Sequence, residues 1–215
     1  MPSTAIIASI LILVISFIFG IVTFYFVSDI QKDLRKKRSE EVSSQIINVI
    51  LFIWLAKVLL NLPVFIGDPL AILAYPGDKN AFYLAVFFSG ALIFHRTREG
   101  KIDGLAVAQA LTYVIVPAAF MYEFLQFTWN GEVNAFRGII LYAVLLAVLL
   151  SLQGRFSTYR LLSIAITGWA AGMLLIMTFQ PYVTMFGYLM EPWFILLFFV
   201  IGQFIILFYS RRRKA

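Results

Sequence analysis

The chain has no cysteine, a single histidine and few charges. Without cysteine there is no disulfide framework, no thiolate metal site and no dithiol redox pair. The thiol on which a lipoprotein carries its own lipid anchor is missing too. One histidine, His95, excludes the usual multi-histidine metal centres, so neither a metal nor a cofactor is expected. Charged residues make up 13% of the 215, about half of what a soluble domain carries, which excludes an ordinary globular fold. Also lacking are an internal repeat, a low-complexity stretch, a dinucleotide fingerprint, a phosphate-cradling glycine loop and any serine–histidine–acid arrangement. What fills the chain instead is apolar: 62% of the residues are hydrophobic and the mean hydropathy is +0.92.

Backbone groups in lipid must be satisfied within the segment itself, so a span is a helix of about 20 mainly apolar residues. Such stretches lie near 5–27, 44–66, 81–95, 104–127, 137–153, 160–180 and 190–210, the third being the shortest. The first has no Lys or Arg before Lys32 and exceeds the central region of a secretory signal, so it reads as an uncleaved span. Leu70 to Tyr75 is apolar but bounded by Pro69, Pro76 and Gly77, which suits a re-entrant or interfacial piece.

Basic residues orient the spans. Residues 28–43, 96–103, 154–160 and the tail after 210 hold 14 of the 17 Lys and Arg. The opposite side has Lys79 and Arg137, and Lys57 lies within a span. The basic side is cytoplasmic by the positive-inside rule. The expectation is an all-α polytopic membrane protein: about seven transmembrane helices, N-terminus outside, C-terminus cytoplasmic, residues 1–215 forming one integral membrane domain. The net charge of +6 then follows from topology and attraction to anionic lipid, and no nucleic-acid partner is expected. The Lys36–Arg38 run is interleaved with Asp29, Asp33, Glu40 and Glu41, as on a solvated helical extension.

Ionisable residues within spans are costly and mark candidate sites. Lys57 falls about nine residues from the outer end of the second span and Glu123 about four from that of the fourth. These depths differ by roughly 7–8 Å, within reach of an outstretched lysine. Two readings fit: a structural pair or a snorkelling lysine, and a head-group or proton site. His95 has Glu99 one turn along, which suits a local ion pair. Tyr113, Tyr122, Gln109, Gln126 and Gln203 can hydrogen-bond a ligand or join helices. Pro117 and the Gln180-Pro181 pair loosen the backbone of the fourth and sixth spans. Trp129, Tyr182, Tyr188 and Trp193 suit an outer interfacial belt.

The order of these features resembles the bacterial prolipoprotein diacylglyceryl transferase family. Leu55-Ala56-Lys57 with Gly67-Asp68-Pro69 is similar to the family's Gly-Ala-Arg segment, with lysine in place of arginine. Arg96-Thr97-Arg98 through Ala119 resembles its basic loop and following span, and Asn130-Gly131-Glu132 the end of its signature. Gln180-Pro181 stands where the family often has Gln-Pro, and an Arg-rich tail follows Gly202-Gln203. The resemblance implies seven spans in the bacterial cytoplasmic membrane and a reaction between phosphatidylglycerol and a lipobox cysteine. It also implies a lipid phosphate held by arginines, and a histidine-glycine-glycine segment near the third span.

The chain departs from that pattern where the chemistry sits. The signature Gly-Arg-x-Gly-Asn-Phe-x-Asn-Gly-Glu matches only at its end, and its arginine falls on Phe124 or, with one residue inserted, on Glu123. Phe82 to Phe88, where the histidine segment belongs, holds neither histidine nor glycine, and no Lys or Arg lies between Arg160 and Arg211. A buried carboxylate repels the phosphate that arginine would clamp. The expected function is therefore that of a divergent, non-catalytic relative binding lipid, phosphatidylglycerol among the candidates, or a membrane-protein partner. An active transferase is the alternative, and a small transporter or channel subunit a further one. The residues nominated for a lipid-binding or buried polar site are Lys57, Tyr113, Glu123, Gln126, Asn130, Glu132 and Gln180; no catalytic residue is assigned.

Overall fold

The computed structural model describes residues 2–27, 32–69 and 78–212. Leu70 to Tyr75, read above as re-entrant or interfacial, lies outside the described residues. In chain order the elements are α1 (Pro2–Val27), α2 (Lys32–Leu60), α3 (Leu62–Gly67), α4 (Lys79–Arg98), α5 (Gly104–Trp129), α6 (Ala135–Leu152), α7 (Thr158–Met177), β1 (Val183–Met185), β2 (Tyr188–Met190) and α8 (Pro192–Arg212). The chain is an all-α polytopic membrane protein. Among the described residues, six helices (α1, α2, α5, α6, α7 and α8) are long and apolar enough to cross a membrane. The shortest expected span, α4, has 20 residues. Polar ends at Lys79, Asn80, His95, Arg96 and Arg98 leave an apolar centre, 81–94, of about 21 Å, short of the ~30 Å hydrocarbon core.

Polar contacts sort the helix ends into two sets. At one, Arg35 Nη1 donates to Tyr25 O (2.7 Å), Gln153 Nε2 to Val27 O (2.9 Å) and Thr158 Oγ1 to Gln109 Oε1 (3.1 Å). Arg38 lies 4.0 Å from Asp103 there, and His95 Nε2 is 3.3 Å from Glu99 Oε1. The basic segments meet at this end. At the other, Lys79 pairs with Glu191, and Arg137 Nη1 donates to Gln180 Oε1 (3.2 Å).

Helix α5 is central and packs against α1, α6, α2, α7 and α4. Lipid gives no hydrophobic reward for helix association, so contact depends on close fit and side-chain hydrogen bonds. Alanines 110, 118 and 119 on α5 are buried, and Gly20 of α1 lies directly over the Val114 carbonyl. Gly168 and Gly172 of α7 leave room for Leu145 and Leu141 of α6. Gln203 of α8 accepts from Ser163 Oγ (2.8 Å), and its Nε2 donates to Ser163 O (3.1 Å) and Thr167 Oγ1 (3.0 Å). Gln109 and Gln203 thus serve as helix-joining groups.

The loop expected outside the membrane after the sixth span is a β-hairpin folded back against the bundle. Its strands pair Val183 with Met190 and Met185 with Tyr188. Phe186 (φ 50°) and Gly187 (φ 83°) both have left-handed backbone, the demand of a two-residue primed turn. For phenylalanine that conformation costs roughly 1–2 kcal/mol. Its ring is held by stacking on Phe17 (4.8 Å) and an edge contact with Tyr122 (5.6 Å). Tyr122 lies seven residues before the end of α5, about 10 Å in along the axis. Irregular backbone at that depth is tolerated where protein covers it. Tyr83 of α4 anchors the hairpin's exit, its hydroxyl donating to Leu189 O (3.0 Å) and accepting from Glu191 N (2.9 Å). Tyr188, expected in the interfacial belt, instead stacks on Phe82 at 4.8 Å, while Trp129, Tyr182 and Trp193 are exposed.

Candidate functional site

Three helices and the hairpin enclose a cavity of about 200 Å³ at the end opposite the basic segments. Helix α5 supplies Glu123 and Gln126, the loop after it Glu132, and the loop after α7 Gln180. Helix α6 supplies Gly138 and, one turn further, Tyr142; the hairpin contributes Thr184 and Gly187. Four of the seven nominated residues therefore meet in one place.

Glu123 is the buried acidic side chain of the site, with 8% of its surface exposed. It fits because residue 138 on the facing helix is glycine: a Cβ there would fall 2.8 Å from Glu123 Cγ and 2.9 Å from Cδ. Above it, Tyr122, Gln126 and Asn130 follow one another at single-turn spacing along α5. Gln126 Nε2 donates to Tyr122 OH (2.7 Å), and Asn130 Nδ2 donates to Gln126 Oε1. Asn130 is exposed and joins the site through Gln126. Gln180 closes the opposite wall, donating from Nε2 to Tyr182 O (2.8 Å) and accepting from Arg137. Burial shifts the pKa of the Tyr188 hydroxyl, in the hairpin, upward.

Tyr113 and Lys57 lie elsewhere. Tyr113 is buried in α5, ten residues and about 15 Å along the axis from Glu123. The pairing of Lys57 with Glu123, one of the two sequence readings, is not formed. Helix α2 ends at Leu60, not near residue 66, because Asn61 and Pro63 break it. Asn61 Nδ2 donates to Lys57 O (2.9 Å) at this terminus. Lys57 consequently occupies the last turn, where a cation complements the helix dipole, and Asp78 acts on it electrostatically.

Sequence reasoning missed Arg137, counting it only as an outer cation. Its Nη1 donates to Asn134 Oδ1 (3.4 Å) as well as to Gln180. Beside it Phe127, Val133 and Phe136 form an exposed apolar notch. The signal was available: Asn134, Arg137, Gly138 and Tyr142 recur at helical spacing and mark one face of α6. Among the described residues no group of three or more His, Asp or Glu could hold a metal ion. The arrangement is a polar cavity with two acidic side chains, a guanidinium at its edge and an apolar notch beside it.

Comparison of the chain with protein-family models, with curated proteins and with solved structures finds no match.

Proposed function

We propose that the protein resides in the bacterial cytoplasmic membrane, N-terminus outside, and binds a membrane lipid without transferring it, as a divergent relative of the diacylglyceryl transferases. The observation that carries this reading is the cavity, where Glu123, Gln126, Glu132 and Gln180 converge at the bundle's less basic end. Exposed Phe127, Val133 and Phe136 adjoin it, so a headgroup can enter while its chains stay in lipid. Transfer is not proposed, because the resemblance assigns it to arginines and a histidine segment that this sequence lacks. Groups of that kind contribute several kcal/mol each to transition-state stabilisation, so their joint loss lowers turnover by orders of magnitude.

The test pairs two measurements on the purified chain: transfer of labelled lipid to a lipobox peptide, and mass spectrometry of co-purifying molecules. The expected result is no transfer together with retained lipid. Transfer that depends on Glu123 or Glu132 would establish an enzyme instead. A protein partner retained without lipid would replace the lipid reading by an accessory one.

A further inference from the structure

The cavity's polar lining is short of positive charge. Gln126 Nε2 is directed at Tyr122 and Gln180 Nε2 at Tyr182 O, while both amide oxygens already accept, from Asn130 and Arg137. The charged side chains of the lining are both acidic, Glu123 and Glu132, beside hydroxyls of Tyr142 and Thr184, and no Lys or Arg lines the space. Glu123, more than nine-tenths buried, has no hydrogen bond or ion pair among the described residues. A buried carboxylate is costly unless something supplies donors and positive charge. A phosphate inside the cavity would add a second negative charge beside it.

Arg137 is the complement. Both side-chain acceptors it meets are neutral amide oxygens, and it forms no ion pair among the described residues. Gln180 joins the two features, lining the cavity while accepting from Arg137, and residues 137 and 138 are consecutive on α6. The carboxylate lies in the cavity, while the guanidinium and the apolar wall share the adjoining notch. An ethanolamine phospholipid presents ammonium, phosphate, acyl chains in that order.

We infer that the cavity takes the primary ammonium of an aminophospholipid, Glu123 accepting its N–H bonds and Arg137 engaging the phosphate. This rests on the lipid-binding reading and deepens it: the headgroup is zwitterionic, with an amine that donates, not the glycerol head suggested by the family resemblance. An ammonium brings three donors and a positive charge to a lining with two acidic side chains and no cation, and each bond to a carboxylate is charge-assisted. A trimethylated amine keeps the charge but has no N–H to give.

The experiment uses the whole chain, delipidated in detergent and titrated with phosphatidylethanolamine, phosphatidylglycerol or phosphatidylcholine of identical acyl chains, with binding read by native mass spectrometry. Phosphatidylethanolamine is expected to bind at least about tenfold more tightly than either other lipid. Glu123→Gln should erase that preference, and Arg137→Gln should weaken all three. Should Glu123→Gln not fold, the wild-type ratio of phosphatidylethanolamine to phosphatidylcholine carries the test alone. Tighter binding of phosphatidylglycerol, or equal binding of all three, overturns the ammonium assignment and leaves the lipid reading standing. No binding of any lipid overturns both.

Discussion

Replacing Gly20 by alanine tests how the bundle holds together. Gly20 sits where α1 crosses α5, α1's most extensive packing partner. A Cβ at this position would fall 2.3 Å from Val114 O and 2.9 Å from Ala118 Cβ. Ordinary contact begins near 3.4 Å, so the helices must separate by about 1 Å locally. The obstacle is a backbone oxygen, which no rotamer change removes. Overpacking of this kind costs about 1–3 kcal/mol. Alanine's better helix propensity offsets about 1 kcal/mol. With a rigid obstacle the cost belongs in the upper half of its range, leaving a net loss of about 1–2 kcal/mol. Gly90→Ala on α4 is the control, since nothing lies within 4 Å of its Cβ position. It should be neutral or stabilise by up to about 1 kcal/mol. Reversible unfolding in mixed detergent, followed by circular dichroism, compares the two. Gly20→Ala as stable as wild type would refute the close crossing of α1 and α5 and the packing account built on it.

Three further outcomes are expected. Lys57→Met and Glu123→Gln share no partner, so their effects on stability should add to within about 0.5 kcal/mol in a double-mutant cycle; a larger coupling would restore the ion pair. Glu191 accepts from Lys79 and from Trp193 Nε1, which hold its carboxyl below the usual range. A depressed folded-state pKa means its contribution is present above the ordinary carboxylate range and is lost as the pH falls through the folded value. The stability difference between wild type and Glu191→Gln should shrink on acidification, and a difference that grew would have the wrong sign. Single cysteines at Ser39 and Asn130, in a chain with no background thiol, report sidedness to an impermeant reagent in intact cells. Asn130→Cys should label and Ser39→Cys should not; the reverse pattern inverts the topology.

The sequence by itself determined the class of fold. Long apolar runs in a chain with 13% charge have no soluble solution, and the helix is the solution that satisfies their backbone locally. The one-sided distribution of Lys and Arg likewise anticipated which ends meet, because loop charge depends only on the order of spans. The nominated carboxylates and amides were legible as expensive groups in apolar surroundings. Their partners were not legible, since partnership depends on helix ends and facing surfaces that no single segment encodes. Lys57 and Glu123 looked matched in depth while α2 was read through to residue 66. The break at Asn61 moved the lysine into a last turn within the electrostatic reach of Asp78. Glu123 found room because a glycine stands opposite on α6, a contact between residues 15 apart in the chain. The hairpin's inward fold was decided by Phe186 stacking on Phe17 and by the Tyr83 anchor, both pairings across the bundle. Only the tertiary structure could join Arg137 to Gln180, 43 residues on, and so place a guanidinium at the mouth of an acidic cavity.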